Sequence, residues 1–215
     1  MLIGVDFDNT IVSYDELFCM VAKEQGHLPA DRSANKTQLR DRLRAEGRED
    51  VWTAMQGYVY GERMRDAKPF PGVLEFFSFS RSSRIPVAII SHRTRYPYKG
   101  PRHDLHAAAM QWLQENMVTG DGQALFHKDR VFLEISKGDK MKRIVQQGCT
   151  HFIDDLPEFL LDVEFPLKVN RVLFDPDNCH ASSPHFRHAR SWEEIRAIVS
   201  GLRDCKLPGT IRRSA

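Results

Sequence analysis

The sequence predicts an α/β protein with a doubly wound, Rossmann-like parallel sheet and a small helical segment inserted after the first strand. Short apolar runs that are continuous rather than alternating favour strands buried on both faces. Helical patterns separate most of these runs, and this alternation is typical of the doubly wound class. Residues 14–68 depart from the alternation because they show helical signals alone.

Five apolar runs are predicted to form the strands of the sheet. They span residues 2–7, 85–90, 131–135, 151–153 and 169–174. The last run ends in the sequence Asp-Pro-Asp-Asn at residues 175–178, which favours a turn. The sheet is therefore expected to be parallel and covered by helices on both faces.

Four helices are predicted around this sheet. The first begins near Pro71, and the others span residues 103–117, 138–147 and 192–202. Pro71 suits a first helical turn, and Gly148 lies just past the end of the third helix, where glycine is favoured. Ser191 followed by Glu194 is a capping-box pattern before the last helix.

These elements predict one core with one insertion. Residues 1–13 and 69–205 form the core, residues 14–68 form the helical insertion, and residues 206–215 form a polar tail. Within the insertion, helical patterns cover residues 16–23, 37–44 and 49–65. An insertion of this kind is expected either to cover a binding site or to be a rigid structural addition.

The balance of charges does not favour a nucleic-acid-binding protein. The chain has 215 residues, with 31 basic and 29 acidic side chains and a formal net charge of +2. A nucleic-acid binder usually gathers its basic residues into one stripe or arm. No apolar run approaches the roughly 18 residues of a membrane span, so no membrane partner is expected.

Cysteine and histidine residues do not form a zinc-site pattern. The four cysteines are scattered without a C-x-x-C pair, which favours reduced thiols and a cytoplasmic location. The amino-terminal segment lacks the basic residues of a signal peptide. A late group of histidines and arginines is expected to be a loop, and it comprises His180, His185, Arg187, His188 and Arg190.

Carboxylates follow two of the predicted strands. Asp6 and Asp8 come at the end of the first strand, and Asp154 and Asp155 follow the run 151–153. The carboxyl ends of parallel strands meet at the ligand-binding edge of such sheets. Adjacent buried acids need compensating charge, and carboxylate oxygens suit Mg²⁺. Taken alone, Asp6 and Asp8 are equally explained as the start of a turn.

Three more polar residues complete the pattern. Ser91 ends the second apolar run, while Lys137 and Lys140 lie near the start of the helix predicted at 138–147. Lys137, which a glycine follows at the first turn, is one candidate. Lys140 is the alternative, and either lysine is also explained by an ordinary solvated helix face.

This ordered set of motifs resembles the haloacid dehalogenase (HAD) superfamily. The four motifs of this superfamily are D-x-D-x-T after a first strand, Ser or Thr after a second strand, Lys before a helix, and a later pair of acidic residues. The resemblance covers roughly residues 1–10 and 69–192. It implies that the insertion is a type 1 cap, a lid that selects the substrate. Because Asp8 and the acidic pair are retained, it implies phosphoryl chemistry with Mg²⁺ rather than dehalogenation.

The resemblance also implies a role for each motif residue. Asp6 is the nucleophile that forms an aspartyl phosphate, and Asp8 is the general acid and base. Ser91 and Lys137 bind the phosphoryl oxygens, and Lys137 is preferred to Lys140 because Lys followed by Gly at the first turn is a common form in the family. The metal ligands are Asp6, the backbone carbonyl of Asp8, Asp155 and, through water or an orienting role, Asp154.

Contacts to the substrate are predicted around the same edge. Asn9 and Thr10 follow the first strand, although Thr10 is also explained by the turn, and Lys140 is a further candidate. The segment 92–103 is rich in Arg, Lys and Tyr, so Arg93 and Arg95 are expected to bind a second anionic group. Equally, this segment is explained as a basic surface loop without a ligand.

Together, these residues predict a cytoplasmic Mg²⁺-dependent phosphatase that hydrolyses a small phosphate monoester, such as a metabolite, a sugar phosphate or a nucleotide-related compound. The alternatives are a phosphotransferase or phosphomutase with the same intermediate, and a nucleic-acid end phosphatase. Both a monomer and a homodimer are compatible with the sequence.

Overall fold

The structure, a computed structural model, describes residues 1–204, with side chains to residue 201. Its strands are β1 (Ile3–Val5), β2 (Val12–Ser13), β3 (Lys68–Pro69), β4 (Val87–His92), β5 (Val131–Glu134), β6 (His151–Asp154), β7 (Asn170–Phe174) and β8 (Arg187–Ala189). Its helices are α1 (Asp15–Glu24), α2 (Lys36–Ala45), α3 (Glu49–Tyr60), α4 (Val73–Ser82), α5 (Leu105–Asn116), α6 (Lys137–Gln146), α7 (Pro157–Leu160) and α8 (Trp192–Asp204). The tail predicted at 206–215 lies outside the described residues.

Six strands form one parallel sheet in the order β5-β4-β1-β6-β7-β8. The chain first builds outward from β1 through β4 and β5, and then returns to the other side of β1 with β6. Ligands of open α/β sheets bind at the carboxyl ends of the strands where the order reverses in this way. The predicted doubly wound fold is confirmed, and the reversal lies between β1 and β6.

Buried apolar residues cover both faces of the sheet. Ile3 and Val5 point into one large cluster, while Phe152 belongs to a second cluster on the other face. Gly4 leaves room for that second cluster, because a Cβ atom at this position would lie 2.5 Å from Cδ2 of Phe152. The central strand is thus packed on both sides, as its continuous apolar sequence predicts.

The helical insertion leaves and rejoins the core through two paired strands. β2 and β3 are antiparallel, with Val12 opposite Pro69 and Ser13 opposite Lys68. Helices α1, α2 and α3 pack on one another between these strands. Phe18 and Trp52 stack within the insertion at 5.0 Å, and both belong to the cluster that includes Ile3 and Val5.

The structure differs from the sequence predictions at one helix end and in several short elements. The third insertion helix ends at Tyr60 rather than near residue 65, because Gly61, a weak helix former, follows it, and a short 3-10 turn covers Met64–Asp66. The late group of histidines and arginines is not simply a loop, because Arg187–Ala189 forms β8 beside β7. Strands β2 and β3 and the short helix α7 were not predicted.

In the part of the chain that the structure describes, no helix is both long enough and apolar enough to cross a membrane.

Candidate active site

Three carboxylates from distant parts of the chain meet at the carboxyl ends of β1 and β6. Asp6 follows β1, Asp154 ends β6, and Asp155 comes next in the chain. The backbone N–H of Asp6 donates to the carbonyl of Ile153 at 2.9 Å, which extends the pairing of the two strands to this point. One carboxylate oxygen from each of the three acids lies within 4.8 Å of the others. The predicted convergence of Asp6 with the acidic pair is therefore observed.

Lys140 joins two of these acids. Its Nζ donates to Oδ1 of Asp6 and to Oδ2 of Asp154, each at 2.6 Å. Lys140 is 3% exposed and Asp154 is fully buried, so the three groups form a desolvated charge cluster. Charge-assisted hydrogen bonds of this kind are about twice as strong as neutral ones.

The preference for Lys137 over Lys140 is corrected by this geometry. Ser136 caps α6 by accepting a hydrogen bond from the backbone N–H of Asp139. Lys137 is therefore the first residue of the helix, and its side chain is exposed. Lys140 lies one turn deeper and packs over the ring of Phe159, where it reaches the two carboxylates.

Burial and mutual repulsion shift the proton affinities of the acids. Desolvation raises the pKa of Asp6 to about 7, with Asp154 and Asp8 adding to the effect and Lys140 opposing it. Desolvation and the charges of Asp154 and Asp6 also raise the pKa of Asp155 well above its ordinary value. The ionised forms of these acids therefore require more positive charge than Lys140 supplies.

A divalent cation fits this set of donors. When all groups are ionised, Asp6, Asp154 and Asp155 carry three negative charges. Lys140 pairs with two of these acids and Lys36 acts on Asp155 from farther away, so one negative charge remains uncompensated. Carboxylate oxygens are the ligands that Mg²⁺ prefers. Thr10, which is fully buried, donates to Oδ1 of Asp155 at 3.4 Å. Thr10 therefore positions one of the acids.

Asp8 is held in place by two donors. The hydroxyl of Tyr14 and Nη1 of Arg93 each donate to Oδ1 of Asp8 at 2.5 Å. The other guanidinium nitrogens of Arg93 donate to the carbonyl oxygens of Tyr60 at 2.9 Å and Leu105 at 3.1 Å. Arg93 is 4% exposed. It is therefore a positioning residue for Asp8 and is not available to a second anionic group of a substrate.

Two further cations of the basic loop after β4 are paired with acids. Arg95 is exposed and donates to Asp104, while Lys99 donates to Asp50 of α3. Gly57 of α3 allows the loop to approach, because a Cβ atom there would lie 2.7 Å from the carbonyl oxygen of Lys99. The loop thus braces the insertion against the core, and the prediction that Arg95 binds an anion receives no geometric support.

Two further predicted residues line the same edge. Ser91 is buried near the end of β4, next to β1 in the sheet. Asn9 adopts a left-handed backbone with φ of 55°, which asparagine tolerates better than most residues, and this turns the chain sharply after Asp8. Its Oδ1 accepts a hydrogen bond from Nζ of Lys36 at 3.2 Å.

The sequence reasoning missed Tyr14, which holds Asp8, and it also missed Lys36. Lys36 is the first residue of α2 in the insertion, after Asn35, which forms a capping box with Gln38. That capping box could have located the start of the helix. No local pattern indicates that the lysine points towards the carboxylates, because this depends on how the insertion packs on the core.

Comparison with solved structures relates this architecture to known proteins. The chain is similar to a haloacid dehalogenase-like family hydrolase from Streptococcus pneumoniae, with a TM-score of 0.58 at 12% identity over 92% of this chain and 97% of that one. It is also similar to a HAD family hydrolase from Deinococcus radiodurans with bound phosphate and sodium, with a TM-score of 0.53 at 15% identity over 93% and 95% of the two chains. The chain has the HAD fold. No protein-family model and no curated protein matches it.

Other proteins with the HAD fold are matched at similar levels. A predicted phosphoglycolate phosphatase from Haemophilus somnus gives a TM-score of 0.53 at 14% identity, over 92% of this chain and 97% of that one. At such identities the shared feature is the fold. The chemistry of this chain therefore depends on its own residues at the β1 and β6 edge.

Proposed function

We propose that the protein is a Mg²⁺-dependent phosphohydrolase that cleaves a small phosphate monoester through an aspartyl phosphate on Asp6. The observation that supports this most is the meeting of Asp6, Asp154, Asp155 and Lys140 at the reversal point of the sheet. The HAD fold, which the chain shares with hydrolases at TM-scores above 0.5, supports the same reading.

Asp6 acts as the nucleophile in this proposal. Lys140 holds Oδ1, so the other carboxylate oxygen is free to attack phosphorus while the bond between phosphorus and the ester oxygen breaks. Water then attacks the phosphorus of the aspartyl phosphate, inorganic phosphate leaves, and the Asp6 carboxylate is restored. Mg²⁺ held by the three acids would reduce the repulsion between the anionic nucleophile and the anionic phosphoryl group.

Asp8 moves the protons for both steps. It gives a proton to the departing ester oxygen and later takes one from the attacking water. Arg93 and Tyr14 hold its Oδ1, which leaves Oδ2 for this exchange. Ser91 hydrogen-bonds a phosphoryl oxygen from the end of β4, and Lys140 adds positive charge beside the same group.

The helical insertion acts as a cap over this edge. Its residues Tyr14 and Lys36 approach Asp8 and Asn9 directly, so the insertion forms one wall of the site. A lid of this kind excludes water and limits the size of the substrate. We therefore infer that the substrate is a small phosphorylated molecule rather than a folded macromolecule.

The test is phosphate release from p-nitrophenyl phosphate by purified protein, with and without Mg²⁺. Asp6→Asn should lose at least about 10³-fold in kcat, and chelation of Mg²⁺ should abolish turnover. Asp8→Asn should also be slow and should accumulate phosphorylated protein detectable by intact mass. Full activity of Asp6→Asn would overturn the proposal, whereas transfer of phosphate to an alcohol acceptor would identify a phosphotransferase.

A further inference from the structure

Lys36 brings a positive charge from the insertion to the proposed active site. Its Nζ donates to Oδ1 of Asn9, the residue directly after Asp8. Its backbone N–H donates to Oδ1 of Asp15 at 2.9 Å, which fixes the start of α2 against α1. Lys36 is therefore held at its backbone and at the tip of its side chain, and its ammonium contacts the residue that follows Asp8.

Three aromatic rings surround the ammonium of Lys36. Nζ lies 5.8 Å from the ring centres of Tyr14 and Phe18, and 5.6 Å from that of Tyr60. Aromatic faces attract cations, most strongly where water is excluded. The three rings all belong to the insertion, so they keep the charge in position without neutralising it.

The charge of Lys36 is not matched by a carboxylate. Among the residues that the structure describes, no carboxylate oxygen lies within 4.0 Å of its Nζ. Lys140, by contrast, has carboxylate oxygens of Asp6 and Asp154 at 2.6 Å. Burial alone would lower the pKa of Lys36, but Tyr60, Asp155 and Asp8 together raise it, so the side chain stays charged at neutral pH. Asp155 and Asp8 act on this ammonium only from beyond 4.0 Å, so it has no ion-pair partner in contact and can bind an anion of the substrate.

We propose that Lys36 binds a carboxylate on the organic part of the substrate, so that the substrate is the phosphate ester of a small hydroxy acid. This rests on the proposed function. The phosphoryl group already meets Lys140, and the leaving oxygen must lie beside Asp8, which gives it a proton. Lys36 lies just past Asp8, through Asn9, where the group attached to that oxygen would be. A single ammonium balances one carboxylate better than a doubly charged second phosphate.

The first experiment compares two esters of similar size in the presence of Mg²⁺. Phosphoglycolate has a carboxylate where 2-hydroxyethyl phosphate has a neutral hydroxymethyl group. The wild type should prefer phosphoglycolate by at least about tenfold in kcat/KM, as expected for one charge-assisted hydrogen bond. Lys36→Met should remove this preference mainly by raising KM for phosphoglycolate, and Lys36→Arg should keep it.

The matched control is Lys23→Met, which neutralises another lysine of the insertion, at the end of α1. It should leave the preference unchanged. If Lys36→Met lowers the activity on both esters equally, Lys36 only fastens the insertion to the core, and the inference is overturned. Lys36→Arg keeps the assay decisive if the methionine variant is poorly folded, because loss of the preference with arginine would also overturn it.

A binding experiment separates this inference from the proposed chemistry. Calorimetric titration of both esters into Asp6→Asn, with and without Lys36→Met, reports recognition without turnover. Phosphoglycolate should bind at least about tenfold more tightly than the neutral ester, and only while Lys36 is present. This difference would support the inference even if Asp6 proved not to be the nucleophile. Equal affinities, or no binding of either ester, would overturn it.

Discussion

Replacing Lys140 by methionine would remove the ammonium that lies 2.6 Å from both Asp6 and Asp154. The lysine and both acids are at least 94% buried at their side chains, so the carboxylates would remain together without compensation. Removing one partner of a buried ion pair typically costs 3–5 kcal/mol, and methionine keeps most of the volume. Because burial already raises the pKa of Asp6 to about 7, proton uptake would recover part of this loss. We therefore expect the variant to lose about 3 kcal/mol of unfolding free energy near pH 8.

Urea unfolding at pH 8 without metal measures this loss, with Lys137→Met as the matched control. Lys137 is exposed, and substitutions of exposed residues usually change stability by less than about 0.5 kcal/mol. The loss in Lys140→Met should shrink as the pH is lowered towards 6, since a protonated Asp6 needs no cation. Equal losses in the two variants, or a loss below about 1 kcal/mol for Lys140→Met, would refute the placement of Lys140 between the two acids.

Three further predictions concern the same core. The pKa of Asp6 is raised from 3.8 to about 7 in the folded protein. Between these pH values the folded, metal-free protein binds more protons than the unfolded chain, so its Tm should fall as the pH rises from 3.8 to about 7. Added Mg²⁺ should flatten this pH dependence, and scanning calorimetry with and without the metal measures both effects. A Tm of the metal-free protein that rose with pH would contradict the reasoning. Arg93→Lys should lower kcat for p-nitrophenyl phosphate by at least about tenfold with little change in KM. The reason is that lysine cannot hold Asp8 and two carbonyls together. A change in KM alone would mean that Arg93 contacts the substrate. Gly4→Ala should cost roughly 2 kcal/mol in urea unfolding, because its methyl group would collide with the ring of Phe152, and an unchanged midpoint would exclude this packing.

The meeting of Asp6 with Asp154 and Asp155 could be predicted from the sequence for a simple reason. Acids that directly follow continuous apolar strands must lie at the carboxyl edge of a parallel sheet, and the sheet brings such ends together. The observed strand order adds only which ends are adjacent. In contrast, β8 was missed because Arg187–Ala189 is three residues long and largely polar, and its conformation depends on pairing with β7.

The lysine and arginine assignments could not be settled in the same way. Choosing between Lys137 and Lys140 requires the start of α6 to within one residue, which is finer than sequence patterns resolve. Arg93 turns inward because Asp8, Tyr60 and Leu105 offer acceptors that lie far from it in the sequence. A long side chain can point into the protein or into solvent from the same backbone position. Only the neighbours that pack against it determine which of the two directions it takes.

The position of β1 between β4 and β6 has a consequence for synthesis of the protein on the ribosome. Ile3 pairs with His151, and these residues are about 150 positions apart in the chain. At translation rates of 5–20 residues per second, β1 therefore waits roughly 8–30 s before this partner is made. During that interval an apolar strand with an open edge is exposed to other nascent chains. The strand that places Asp6 is thus open to wrong pairing while the rest of the chain is being made.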